Sequence, residues 1–587
     1  MPYTPRYSNL LDLFDEVTTR YADRPLFGSR RHSGWEWVRY GQFRRLVDQA
    51  RAGLATLGVG PGDRVAVISD NRLEWAYFAY GTYTRGAVYV PMYESQLDKD
   101  WEYILRDSGA KVCLVSSDAI EKRVHDLQAD LHELSHVISF DSPGCTELLR
   151  RGAEQPIAAT RPDDDDLATL IYTSGTTGNP KGVCLSHRNL AANVSALLEV
   201  NPVIGGDRCL AFLPWAHVFG GTLEINTLMA VGGAIAICDD NDKLIDYLPE
   251  VRPTVLFAVP RIWNRIYDGV QKQMAERPEA IQKLFKTAMT ARTKEKRGVA
   301  LGLRERLSLK LADKLIFSKI LERFGGELRF AVSGAAALST DVAEFIDNLG
   351  IDVYEGYGLT ESSGCTTANT PAARRLGSVG QPIPGVEVKL DTLAPGSEGG
   401  SGEIIIYGTG VMRGYHNMPE ETDAVLTDDG GLRSGDLGSI DEDGFVYITG
   451  RVKEIYKLEN GKYVAPAPIE EALQLSPYIA QCVLYGSDRP HNVALIVPDM
   501  KALSDWAAQK GLDTDPEAMV ADGHVRELIR REIDTCSREL KGFESVRDFL
   551  LESRELSPEN GLLTPTLKLK RRAIMEAYGE RLAALYA

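Results

Sequence analysis

Residues Thr173 to Gly182 read TSGTTGNPKG and directly follow the apolar run Ala168 to Tyr172. Ser174, Gly175, Thr176, Thr177 and Gly178 bring backbone N–H and hydroxyl donors that can wrap a polyphosphate, and Lys181 adds a positive charge. The loop does not fit the Walker template. Counting from Gly175, the sixth position is Pro180 where that template has glycine, and Gly182 follows Lys181 where it has Ser or Thr. A P-loop kinase or GTPase is therefore disfavoured. Composition alone also admits a plain flexible Gly/Ser/Thr loop.

A loop can hold phosphate only if elements on either side fix it. Upstream, Arg64–Asp70, Ala87–Met92 and Lys111–Ser117 are short apolar runs, with helical patterns over Gly41–Leu57 and Asp98–Asp107 between them. Such alternation predicts parallel strands covered by helices on both faces. It resumes in ATLIYTSG, AIAICDD, TVLFAVP, LRFAVSG and IDVYEGYG, which predicts two doubly wound sheets. After about Gly380 the texture changes: VEVKLD, GEIIIYG and GFVYITG are short runs separated by Gly, Asp and Pro, which suits a small antiparallel β unit. Beyond Arg451, QCVLYG, VALIVPD and a helix over Val525–Leu540 predict a compact α+β domain. The fold class expected is α/β, with a large N-terminal domain over 1–450 and a smaller α+β domain over 454–587.

The chain has 587 residues, 44% of them hydrophobic and 25% charged, which is globular composition. A net charge of −17 argues against a nucleic-acid partner. The eight cysteines are scattered without a C-x-x-C pair, which indicates neither a zinc site nor a disulfide framework. The N-terminus has no hydrophobic signal core. The longest apolar run, Leu210 to Cys238, is split by Glu224 into halves shorter than the roughly 18 residues a span needs. The expected setting is cytoplasmic. One segment breaks the charge balance: between Gln271 and Arg323 there are fourteen Lys or Arg and six Asp or Glu, a net of +8. It reads either as a solvated helical insertion or as a surface for anionic lipid, with Lys294, Lys296 and Arg297 as the charges to test.

TSGTTGNPKG resembles the signature loop of the AMP-forming, adenylate-forming enzymes: acyl-CoA synthetases, luciferases and the adenylation domains of peptide synthetases. EGYGLTES (Glu355–Ser362), RSGDLG (Arg433–Gly438), TGRVKE (Thr449–Glu454) and LTPTLKLKRR (Leu563–Arg572) follow in that family's order. Within it, PRIWNRIYDGV, the basic insertion, ENGKYVAP and LTPTLKLKR look most like the long-chain fatty acid–CoA ligases.

The resemblance implies two steps on one site. A long-chain carboxylate attacks ATP to give acyl-AMP and pyrophosphate, and the thiol of CoA then displaces AMP. Glu361 would hold Mg2+, Thr360 would bond the α-phosphate, and Tyr357 would face adenine. Gly356 and Gly358 flank that tyrosine. Asp436 would accept both ribose hydroxyls, with Arg451 reaching the same nucleotide. Lys568 would bridge carboxylate and α-phosphate, although Leu567 stands where the family usually has glycine and Lys570 is the alternate. Residues 451–453 form the expected hinge, with Lys453 at its centre, and the C-terminal domain would turn on it. Lys457 would face the site for the thioester step. His217 matches a histidine near the acyl carboxylate, and Trp215 and Phe219 would line the acyl entrance. In SGAAAL, Gly334 and Ala335 would approach the nucleotide, with Ala335 in place of a glycine.

Rival readings are a ligase that loads a carrier protein and a lapsed, membrane-associated acyl-binding protein. A serine hydrolase is disfavoured because no G-x-S-x-G occurs. Chain-length preference and oligomeric state, a homodimer among the possibilities, stay open.

Overall fold

The computed structural model describes residues 3–128, 131–173, 179–397, 399–538, 540–564 and 566–587. Its first sheet has six strands in the order His136–Ser139, Val112–Val115, Arg64–Ile68, Val88–Met92, Leu167–Thr173 and Lys181–Ser186. The first five run parallel. Three of them are almost wholly buried runs of apolar residues, as a sheet covered on both faces requires. The sixth strand turns back antiparallel, with Thr173 opposite Lys181. This hairpin was not expected from the sequence. It brackets residues 174–178 and fixes Lys181 at the edge of the loop it closes.

The second sheet begins with three parallel strands, Val255–Ala258, Phe330–Ser333 and Asp352–Tyr357. Two short antiparallel strands, Thr367–Ala368 and Gln381–Pro382, extend it. SGAAAL and EGYG lie at the C-terminal ends of its parallel strands, and open α/β sheets bind ligands at such ends. The AIAICDD strand belongs elsewhere. Ala234–Ile237 pairs with Arg208–Ala211 and with an early hairpin, Pro25–Arg31 and Gly34–Arg39, to make a separate four-stranded sheet.

Val386–Asp391, Gly402–Gly408, Leu432–Ile440 and Val446–Arg451 form the antiparallel β unit. The largest apolar core has its last buried residue at Val446, and a second core begins at Leu458. That second region is a three-stranded sheet, Ile479–Tyr485, Asn492–Pro498 and Val546–Leu551, packed with helices Pro466–Leu473, Gly523–Cys536 and Arg571–Ala583. Arg571 ties it together by pairing with Glu470 at 2.6 Å and with Glu454 at 3.1 Å.

The basic insertion is helical: Pro260–Ala275, Glu279–Lys296 and Leu303–Ala312, continuing through Asp313–Phe317 and Ser318–Glu322. Lys294, Lys296 and Arg297 are not free charges. They pair with Glu305 (2.6 Å), Asp347 (2.7 Å) and Glu344 (3.2 Å), which corrects their choice as the lipid-facing group. No helix among the described residues is long and apolar enough to cross a membrane.

Candidate active site

The antiparallel ladder of the β unit sets Asp436 directly opposite Arg451. Arg451 Nε donates to Asp436 Oδ1 at 2.7 Å, and the Tyr357 hydroxyl donates to Asp436 Oδ2 at 2.7 Å. Asp436 is buried. Each carboxylate oxygen has a second lone pair, so the group can still accept from a diol. Asp436 holds the Arg451 guanidinium above its ordinary range, and burial followed by Asp436 pushes the Tyr357 phenol up.

Glu361 sits in the short helical turn Thr360–Ser362 that follows the strand ending at Tyr357. Its backbone carbonyl accepts from the Met412 amide at 2.8 Å, and its Oε1 accepts from the Tyr415 hydroxyl at 2.9 Å. Thr360 beside it is buried. Tyr415 also stacks under Lys181, whose ammonium lies 4.9 Å from the ring centroid and pairs with Glu421. Tyr415 thus links Lys181 to the Glu361 carboxylate, while Glu421 pairs with the lysine. Neither Tyr415 nor Glu421 is singled out by the sequence, since both lie in the unassigned run MRGYHNMPEE and only folding brings that run against Lys181.

Lys568 arrives from the C-terminal region. Burial, reinforced by the nearby Arg451 guanidinium, holds its ammonium below the ordinary lysine range, while Asp436, Glu361 and Glu454 pull the other way. A hairpin-like loop presents it: the Thr564 amide donates to the Lys568 carbonyl at 2.8 Å, and the Lys568 amide donates to Thr564 Oγ1 at 3.0 Å. Leu567, where a glycine was expected, takes up a left-handed φ of 61°. Lys570 instead starts the Arg571–Ala583 helix. Lys457 stands exposed with its ammonium 5.5 Å from the Tyr463 ring centroid, and is not drawn into this cluster.

His217 faces the same lysine. Burial and then Lys568 depress its pKa to about 3. The Phe219 amide donates to His217 Nδ1 at 3.2 Å, which leaves Nε2 as the protonated nitrogen of a neutral ring. From His217 a pocket runs between Phe219, Leu223, Phe257 and Val332 to Leu197 and Val200, with about 730 Å3 of space, part of it continuous with solvent. Gly334, Ala335, Gly356 and Gly358 also line it. Ala335 has φ 70°, the left-handed conformation that a glycine would adopt without strain. Trp215 is not part of this wall. Its ring is buried against Phe27 and Trp75, with centroids 5.8 and 5.6 Å away, so its expected place at the acyl entrance is corrected. Ser174, Gly175, Thr176, Thr177 and Gly178 lie outside the described residues.

Among the described residues no cluster of three or more His, Cys, Asp or Glu could hold a metal by itself. A single carboxylate is what Mg2+ needs from protein when substrate phosphates complete its shell. Glu361, with Oε1 steadied by Tyr415, fits that requirement.

Residues 14–416 match the AMP-binding enzyme family and residues 453–587 match the AMP-binding enzyme C-terminal domain. The chain belongs to this family of adenylate-forming enzymes. Within it the sequence is most like the long-chain fatty acid–CoA ligases. A peroxisomal long chain acyl-CoA synthetase of Arabidopsis thaliana is 31% identical, covering 100% of this chain and 87% of its own. A long-chain-fatty-acid–CoA ligase of Mycobacterium tuberculosis is 32% identical, covering 94% and 92%. Among solved structures, the adenylation domain of a carboxylate reductase from Mycobacterium chelonae is 25% identical with a TM-score of 0.79, covering 99% of this chain and 92% of that one.

Proposed function

We propose that the protein activates a long-chain fatty acid with ATP to acyl-AMP and pyrophosphate, then transfers the acyl group to CoA with release of AMP. The observation that carries this reading is the electrostatic convergence of Arg451, Asp436 and Glu361 on Lys568, and of Lys568 on His217, which lines an apolar pocket. In the first step a carboxylate oxygen bonds to the α-phosphorus as the bond to pyrophosphate breaks. Two anions must meet, so an ammonium held between them lowers the barrier by positioning and charge. Lys568, flanked by Arg451, Asp436 and Glu361, would take that place.

Asp436 would orient the ribose, Tyr357 would cover the adenine, and Lys181 would meet the outer phosphates. Gly175 and its neighbours would cradle the phosphates. Glu361 would hold Mg2+, which supplies charge neutralisation at the phosphates when bound. In the second step the CoA sulfur bonds to the acyl carbon and the bond to AMP breaks. Lys568 has no task there. Rotation about Lys453 would withdraw it and bring Lys457 toward the site.

Purified protein given Mg–ATP and hexadecanoate, with and without CoA, tests the reading. AMP, pyrophosphate and a CoA-dependent thioester are expected. Acyl-AMP that accumulates and ignores CoA would point to a carrier-loading ligase, and no AMP with any of a broad panel of acids would sink the proposal.

A further inference from the structure

Five of the ten large hydrophobic residues that stand exposed among the described residues lie between positions 299 and 315. Four form a row. Leu303, Leu307, Leu311 and Leu315 are 86%, 68%, 46% and 43% exposed, each four residues from the last along the helix that starts at Leu303. Four-residue spacing puts side chains on one face. The opposite face is accounted for, since Leu309, Ala312, Ile316 and Phe317 are buried against the body of the protein. The leucine row is therefore the solvent-facing side of this helix.

A second row runs beside it. Arg306, Lys310 and Lys314 precede Leu307, Leu311 and Leu315 by one residue, are exposed, and make no ion pair among the described residues. The acidic residues of the same stretch are turned elsewhere: Glu305 pairs with Lys294 and Asp313 with Arg292, leaving Glu322 exposed near the helix end. The outward face thus offers an apolar stripe with unneutralised cations along one edge.

We infer that this face is an interfacial helix that lies on an anionic lipid bilayer, with the four leucines entering the acyl boundary and Arg306, Lys310 and Lys314 at the phosphates. Helices of this pattern bind bilayers in the plane of the interface, and long basic side chains extend along apolar surface to reach headgroups. Charge complementarity selects this occupant. Two copies docked through the same stripe would set one basic row near the other, whereas an anionic bilayer meets both rows at once. The inference stands on the exposed rows alone and does not need the ligase reading.

The test is flotation of the full-length protein with vesicles of phosphatidylcholine, with and without about 30% phosphatidylglycerol, and without ATP, CoA or fatty acid. Binding to the anionic vesicles is expected, weakened on raising NaCl from about 0.1 to 0.5 M as screening shortens. The pair L307S and L311S should lower the partition coefficient by about tenfold or more, and K310E with K314E should do likewise. L393S, at an exposed leucine far from the row in sequence, should leave binding unchanged, and adenylation of octanoate by L307S/L311S reports intact folding. Undiminished partition of L307S/L311S overturns the inference. So does wild-type protein that ignores vesicles but self-associates through these leucines, or that binds neutral and anionic vesicles alike.

Discussion

Arg451 Nε donates to Asp436 Oδ1 across 2.7 Å from the residue directly opposite it in an antiparallel ladder. The last strand of the β unit therefore ends, two residues before Lys453, on the carboxylate proposed to hold the ribose. Asp436→Ala should raise KM for ATP by about ten- to hundredfold, the range of one or two hydrogen bonds to a charged group. Pyrophosphate exchange at varied ATP reads this directly. An unchanged KM for ATP, with only kcat lowered, would remove Asp436 from the nucleotide site.

His217 should stay neutral through the working range, because burial and Lys568 hold its pKa at about 3. It can then orient a carboxylate by an Nε2–H donor but cannot shuttle a proton near neutrality. His217→Gln keeps a neutral donor and should retain most adenylation, whereas His217→Ala should lose about tenfold or more. The pH–rate profiles of wild type and His217→Gln should coincide between pH 6 and 8. An acidic limb near 6.5 that the glutamine variant abolishes would contradict this.

Glu224 is a second buried carboxyl, and it bears on stability. It lies beside the Trp215 indole and the Cys209 thiol without a well-formed hydrogen bond to either, and burial raises its pKa to about 8. A carboxyl raised in the native state stays protonated there while the unfolded chain ionises, so its stabilising contribution is full below the unfolded pKa and is lost as pH rises toward 8. The slope is roughly 1.4 kcal/mol per pH unit over that window. Glu224→Gln should therefore match or fall below wild type in urea midpoint at pH 5 and exceed it at pH 8. Parallel midpoints at both pH values would show that the carboxyl is already ionised in the fold.

Leu567 carries the φ of 61° that turns the chain into Lys568. A leucine in that region is strained by about 1–2 kcal/mol, and a β-branched residue more so. Leu567→Gly should leave adenylation close to wild type, while Leu567→Val should slow it by roughly tenfold through misplacement of Lys568. Thioester formation from supplied acyl-AMP should change much less in Leu567→Val. Equal loss in both half-reactions would mean that the loop serves the fold and not the lysine.

Much of the architecture was legible because period and punctuation are local. Val386–Asp391 and Gly402–Gly408 fall where their apolar runs do, and Asp98–Ser108 extends its expected helix by one residue. The Pro25–Arg39 hairpin was not legible, since its strands alternate weakly and draw their stability from pairing with Ala234–Ile237, some 200 residues on. At the site, motifs gave residue types but not partners. Nothing in LPWAHVFGG distinguishes Trp215, which turns into the core, from His217, which turns to the pocket. The link from Lys181 through Tyr415 to Glu361 joins three segments far apart in sequence, and only tertiary packing makes them neighbours. The same holds for the basic insertion, where charge count alone could not separate the paired Lys294 and Arg297 from Lys310 and Lys314, which make no ion pair among the described residues.

Lys453 offers the sharpest test of the two-step cycle. It lies in the turn between Arg451 and the second core, where the Val452 amide bonds to Gly435, and the Glu454 and Ile455 amides both bond to Arg451. The Lys453 amide makes no backbone hydrogen bond among the described residues, so proline there removes none. What proline does remove is torsional freedom, because it fixes φ near −65°. If the present arrangement, with Lys568 facing His217, is the pose for adenylation, Lys453→Pro should preserve acyl-AMP formation within about threefold while cutting CoA-dependent thioester formation by about a hundredfold. Separate assays of the half-reactions, pyrophosphate exchange for the first and supplied acyl-AMP with CoA for the second, read the two effects apart. Loss of both steps in equal measure would show that residue 453 is a structural turn and not a pivot.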